Sequence, residues 1–204
     1  MAELIVVACH GPDWIGQCRE SLSDHCPHVD AVFIDTGGDI CHGANVAIRG
    51  GHPTGAYLWA VQQYATYDRF LFLQDSTTAL EDPLPWFREQ WPGGGAVAWQ
   101  RFEMQWDNDE QRHAVEGRYP GVNPSHGIFG PIFYTDRASL DLLAAKKLLP
   151  DVPADRMSAQ GSERAWAYAL ASAGLPVAGP QWNPSALLAG QAIGPLRKTF
   201  AGRP

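Results

Sequence analysis

Three short apolar runs, each stopping at a polar cluster, constrain the fold of this chain most. Leu4 to Cys9 stops at His10-Gly11-Pro12, Ala31 to Ile34 at Asp35-Thr36-Gly37-Gly38-Asp39, and Phe70 to Leu73 at Gln74-Asp75-Ser76-Thr77. Nearly continuous apolar runs of this length read as strands covered on both faces, the condition of a parallel sheet. Helical patterns separate them. Trp14, Ile15, Cys18 and Leu22 recur at helical spacing, with Asp13 as cap and Cys26-Pro27 as stop, and Ala56 to Tyr64 carries Leu58, Val61 and Gln62 at the same spacing. Alternating strand and helix predicts an α/β domain with helices on both faces of a mostly parallel sheet. Ligands of such folds are met just outside the carboxyl ends of the strands, which puts Asp35 and Asp75 forward first.

Beyond Thr77, Asp82-Pro83 supplies an N-cap and a proline at the first helical position of a helix through Trp91. Asp75 is therefore not needed as that cap. Pro92-Gly93-Gly94-Gly95 breaks the chain before a strand at Ala96 to Trp99. Gln100 to Ser125 is polar, aromatic and without periodicity, and it reads as a functional loop whose Phe102, Trp106 and Tyr119, with Trp99 just before it, offer flat rings on which a ligand could stack. Trp14, Trp59, Trp86 and Trp166 fall at helical positions suited to core packing. Gly127 to Tyr134 returns to β character. Asp136 caps a helix through Lys147, Gly161-Ser162 starts another, and Gly174 ends it. With 204 residues and no internal repeat, the expectation is one domain over 1–179, with 180–204 as a tail or lid.

A net charge of −7 with 15 Lys and Arg argues against nucleic-acid or anionic-membrane partners, which require clustered cations. No apolar run approaches the roughly 20 residues of a membrane span. Met1-Ala2-Glu3-Leu4 lacks the basic start of a signal peptide, so a soluble cytoplasmic protein is expected. Cys9, Cys18, Cys26 and Cys41 cluster with His10, His25, His28 and His42, which invites a zinc reading. Their spacing fits no common ligand pattern, and reduced structural thiols are the plainer account.

The order Val6-Val7-Ala8-Cys9-His10, Phe33-Ile34-Asp35-Thr36-Gly37-Gly38, Gly55-Ala56, Gln74-Asp75-Ser76 and Gly161-Ser162-Glu163-Arg164 resembles the GT-A glycosyltransferases, especially the family 2-like nucleotide-sugar enzymes, over roughly the first 175 residues, a span within the usual size of one domain. The resemblance implies a nucleotide-sugar donor held by residues 1–99 and a glycan, protein or lipid acceptor on the side of residues 100–179. It assigns Ala8 and His10 to the base or ribose neighbourhood, Asp35 to hydrogen bonding of base or ribose, and Thr36, Gly37 and Gly55 to the nucleotide site. Asp35 has a second reading as the residue that organises its own turn.

The family's D-x-D element, which holds Mg²⁺ or Mn²⁺ against the diphosphate, falls on Gln74-Asp75-Ser76, where a single carboxylate remains. The resemblance implies a metal at Asp75, with Ser76 and Thr77 as secondary oxygen donors and Gln74 and Ser76 among the substrate contacts; cations replacing the metal are the alternative. Glu163 takes the place of the acceptor-side general base of an inverting transfer, or it complements the dipole of the helix it opens. His126 is a candidate substrate contact or a structural histidine. Arg197 and Lys198 follow Gly194-Pro195 and read as a lid over the diphosphate or as an exposed tail. Two rivals remain: a sugar nucleotidyltransferase, whose glycine-rich basic loop is not supplied by Cys9-His10-Gly11-Pro12, and a binding module that kept only the fold.

Overall fold

The structure is a computed structural model and describes residues 1–9, 12–37, 43–106, 108–154, 156–181 and 190–199. Its first half runs β1 (Glu3–Cys9), α1 (Pro12–His25), β2 (Asp30–Asp35), β3 (Val46–Ala47), α2 (His52–Gln63), β4 (Arg69–Gln74), β5 (Thr77–Ala79) and α3 (Pro83–Glu89). The second half runs β6 (Ala96–Ala98), β7 (Arg101–Glu103), α4 (Asp109–Arg118), β8 (His126–Ile128), β9 (Phe133–Asp136), α5 (Arg137–Ala145), α6 (Arg156–Ser172), β10 (Val177–Ala178) and β11 (Leu196–Lys198). Seven strands form the central sheet in the order β10-β6-β9-β4-β1-β2-β3. Pairing is parallel except where β9 inserts antiparallel between β4 and β6.

The period of two along each strand explains the layers. Leu4, Val6 and Ala8 of β1 and Phe70 and Phe72 of β4 point into one core, with Ala56, Tyr57 and Ala60 of α2 and Trp166 and Leu170 of α6. Ile5, Val7, Cys9, Leu71 and Leu73 point into the other, with Ile15, Cys18 and Leu22 of α1 and Leu84 and Phe87 of α3. Both faces of these strands are apolar because both are covered, as the unbroken runs in the sequence require.

Several caps follow the sequence. Asp82 accepts from the Leu84 amide at 3.0 Å and Asp136 from the Ser139 amide at 2.8 Å. Gly174, at φ 75°, sits where α6 terminates, with its amide bonded to the Ala171 carbonyl. Other boundaries move. The first helix begins at Pro12, so Asp13 lies inside its first turn. Helix α2 starts at His52 rather than Ala56, behind Gly51 at φ 90°, and Pro53 is tolerated there because early helical amides have no intrahelical partner. Residues 100–125 are not one irregular loop. They hold β7 and α4, whose N-cap Asn108 accepts from the Gln111 amide at 2.8 Å. The α4 helix buries only Gln111 and Val115, too narrow a stripe to give an apolar period.

The largest shift is at α6, which begins at Arg156 and makes Gly161 and Ser162 buried mid-helix residues rather than its start. Residues 195–199 are not an exposed tail. β11 pairs antiparallel with β5, and Trp99 Nε1 donates to the Ile193 carbonyl at 2.8 Å.

Candidate functional site at the carboxyl edge

The parallel strands β1, β2 and β4 end side by side, with Ala8 paired to both Ile34 and Gln74 and Cys9 paired to Asp35. The Ala8 carbonyl accepts from the Asp75 amide at 3.0 Å, and the Cys9 carbonyl accepts from both the amide and the hydroxyl of Thr36, at 3.0 and 3.1 Å. The polar residues read from the sequence thus meet along one edge. His10, part of the same expectation, lies outside the described residues.

The two acidic tips are used differently. Asp35 is buried, and its Oδ1 accepts from the Gly37 amide at 2.7 Å, the turn-forming use anticipated as its alternative role. A Cβ at Gly37 would stand 3.1 Å from that oxygen, so the turn fits glycine closely.

Asp75 is also buried, at 8% exposure, but it faces other charges. Burial lowers the Lys198 ammonium to about 8, and the carboxylates of Glu163 and Asp75 oppose that shift. Burial pushes the Tyr57 phenol well above its ordinary value, and Asp75 and Glu163 add to the push. Burial likewise raises the Cys18 thiol to about 12, with Asp75 contributing. These shared effects put Asp75 of the β4–β5 turn, Glu163 of α6 and Lys198 of β11 in one corner, beside the Tyr57 hydroxyl that donates to the Leu73 carbonyl at 2.9 Å.

Lys198 was read from the sequence as a basic residue of the chain's ending, and here it is interior. It is 7% exposed, and its ammonium donates to Gln74 Oε1. Gly130, at φ 60°, lets the backbone close against it: a Cβ there would lie 3.0 Å from Nζ. In the β5–β11 pair, Lys198 stands opposite Thr77 and Leu196 opposite Ala79. Directly paired residues share a face, so Lys198 and Thr77 point inward with that apolar pair while half-buried Arg197 and its partner Thr78 occupy the other face. Thr77 Oγ1 is buried with no hydrogen-bond partner among the described residues.

The remaining expected residues are more dispersed. Ser76 is half-buried, and its carbonyl accepts from the Thr199 amide at 2.8 Å, locking β11 over the corner. Gly55 is buried in the first turn of α2, where a Cβ would touch Val152, so close packing explains it. His126 is 2.8 Å from Ser125 Oγ through Nδ1 and 2.9 Å from Gln181 Nε2 through Nε2, a ring held on both sides. Trp99, Phe102 and Tyr119 are buried core residues rather than stacking platforms, and Tyr119 OH donates to the Leu148 carbonyl at 3.0 Å. Arg164, next to Glu163, lies over the rings of Phe102 and Trp106 at 5.2 and 5.4 Å, fastening the segment after β7 to α6. Sequence reasoning missed Tyr57, which looks like one more aromatic on an apolar helix, and Arg49, joined to Gly37 by a backbone bridge at this edge. Its only signal is position, after the polar end of β2.

Cys9, Cys18 and Cys26 are core residues, and Cys41 and His42 lie outside the described residues. Among the described residues no group of three or more His, Cys, Asp and Glu side chains gathers that could hold a metal ion. In the donor set implied for Mg²⁺ or Mn²⁺, Asp75 is the one carboxylate, Ser76 and Thr77 offer hydroxyls, and an ammonium bonds the neighbouring Gln74 oxygen. Hard divalent ions need several oxygen ligands and are repelled by a cation among them. A divalent ion at Asp75 would need water and phosphate oxygens to complete its shell and would stand beside a buried ammonium.

No family profile and no curated protein matches the chain. Among solved structures, it is similar to a putative glucose-1-phosphate thymidylyltransferase from Bacillus anthracis in complex with a sucrose, at 14% identity and TM-score 0.50, over 90% of this chain and 87% of that one. It is also similar to the galactosyltransferase LgtC in complex with donor and acceptor sugar analogues, at 9% identity and TM-score 0.40, over 86% and 72%. Among the described residues no helix is long and apolar enough to cross a membrane. The thymidylyltransferase likeness concerns the fold alone: a single, mostly parallel α/β sheet of the GT-A, Rossmann-like kind.

Proposed function

We propose that this chain transfers a sugar from a nucleoside-diphosphate sugar to a hydroxyl acceptor, with inversion at the sugar carbon. The observation that carries the reading is the corner where Asp75, Lys198 and Glu163 arrive from three elements, outside the carboxyl ends of β1, β2 and β4. Donor nucleoside lies along Ala8 and the Asp35-Thr36-Gly37 turn, and its diphosphate lies toward Asp75 and Ser76. Glu163 takes the acceptor proton as the acceptor oxygen bonds to the sugar carbon, and the bond to the diphosphate oxygen breaks with the nucleoside diphosphate leaving. An acid/base side chain at that proton contributes about 10²- to 10⁴-fold. No step runs through a metal.

The test is a thermal-shift panel of nucleoside diphosphates and nucleotide sugars, followed by donor-hydrolysis assays on those that bind. Binding to the folded state alone raises the unfolding midpoint, so a selective shift identifies the base. No shift with any of them removes the proposal.

Sugar nucleotidyl transfer is the second reading, prompted by the likeness in fold to the thymidylyltransferase. Against it, β1 ends at Cys9 and α1 starts at Pro12, leaving residues 10 and 11 where a long glycine-rich phosphate loop would have to fit. Pyrophosphate release from a nucleoside triphosphate and a sugar 1-phosphate would favour this second reading.

A further inference from the structure

The ammonium of Lys198 occupies the part of the site where a D-x-D enzyme would be expected to keep its cation. It bonds the first residue of the degenerate element, Gln74, and experiences the charge of the second, Asp75. The β5–β11 pairing and the Thr199-to-Ser76 hydrogen bond hold the strand that carries it. Gly130 removes a side chain where the ammonium needs room. The Phe129 ring centroid lies 5.9 Å from the ammonium. Thr77 Oγ1, on the same face, is a buried hydroxyl with no partner among the described residues. A site so arranged holds a positive charge at neutral pH and has a spare hydroxyl on the same face.

We propose that Lys198 is the built-in counter-charge for the donor's diphosphate, standing in place of a divalent ion, so that donor binding is independent of metal. This rests on the donor reading above. A divalent ion against Asp75 would bring a second cation beside a buried ammonium, and like charges in a desolvated corner repel strongly. An ammonium is a compact point charge suited to phosphate oxygens. Asp75 is then left to accept from hydroxyls of the donor, and the C-terminal strand becomes an integral wall of the site rather than a closing lid.

The inference also sets a pH dependence. The charged groups that act on Lys198 are Glu163 from α6 and Asp75 from the β4–β5 turn, and the same two carboxylates act on Tyr57 of α2. The ammonium loses its proton near pH 8, so diphosphate affinity falls as pH rises through that value.

The experiment is calorimetric titration of the full chain with UDP, dTDP, GDP and ADP, in EDTA and in Mn²⁺. The proposal expects at least one of them to bind with affinities in the two buffers within about three-fold. Lys198→Met weakens binding by about 10- to 100-fold, the loss expected when a charged hydrogen-bond donor is removed, and Lys198→Arg recovers part of it. Circular dichroism checks that each variant is folded. If Lys198→Met does not fold, the affinity of the unmodified chain from pH 6.5 to 9.5 decides, with a loss centred near 8 expected. Binding that vanishes in EDTA and returns with Mn²⁺, or that is unchanged in folded Lys198→Met or across that pH range, overturns the inference and leaves the donor reading standing. Absence of binding to all four in both buffers overturns both.

Discussion

Asp35 and Asp75 end neighbouring parallel strands, both buried, yet they use their carboxylates in different ways. Asp35 spends an oxygen on its own backbone, the Gly37 amide two residues on. Asp75 faces groups brought from distant parts of the chain, Tyr57, Glu163 and Lys198. A carboxylate satisfied locally stabilises a turn. A carboxylate surrounded by charges from other elements is part of an assembled site, and perturbed ionisation concentrates at such sites.

The comparison breaks most readily at Glu163. Glu163→Gln is expected to lower transfer by about 10²- to 10⁴-fold while donor affinity stays within about two-fold. Turnover retained in single-turnover assays would return the corner to a structural role.

Lys198 sharpens the comparison through pH. Its folded value of about 8 lies below the unfolded 10.5, so between those values the unfolded chain binds more protons and stability rises with pH. Below pH 8 both states are protonated and the full burial cost is present. The rise is at most about 3 kcal/mol at 1.36 kcal/mol per unit. Chemical denaturation across pH 7.5 to 11 measures it, and Lys198→Met should remove this contribution.

Substitution at the tips themselves separates the two uses. Asp35→Ala is expected to cost about 1.5–3 kcal/mol by removing the hydrogen bond between its carboxylate and the Gly37 amide. Asp75→Asn keeps size and shape, and its main effect falls on the donor-induced shift of the unfolding midpoint. Equal stability losses in thermal unfolding would erase the distinction between the two residues. The smallest effect is at Gly130→Ala, expected to cost about 1 kcal/mol for the left-handed backbone, with a further loss of donor affinity because the new methyl crowds the Lys198 ammonium.

How much could be read beforehand follows the range of the interactions. The strands over Leu4–Cys9, Ala31–Ile34 and Phe70–Leu73 were legible because a two-sided apolar environment writes itself into consecutive residues, and the caps Asp82 and Asp136 because a cap bonds its own helix. The site was legible only in part. Asp75 stood out by ending a strand, whereas the place of Lys198 depends on an antiparallel pairing with Thr77 that no local pattern announces. The start of α6 was misplaced because Gly161-Ser162 carries a capping signature, yet packing buried it inside a longer helix.

The sequence by itself determined the alternation of strands and helices, the two covered faces of the parallel strands, and the polar edge where those strands end. Only the tertiary structure decided that Asp35 serves its turn, that the charges of Asp75 and Glu163 both act on Lys198, and that the C-terminal strand walls the corner. Burial patterns and caps are properties of neighbouring residues, and a chain cannot hide them. The encounter of charges across the fold depends on register, on strand insertion and on the closing of long loops, whose entropy is offset only when the whole core packs.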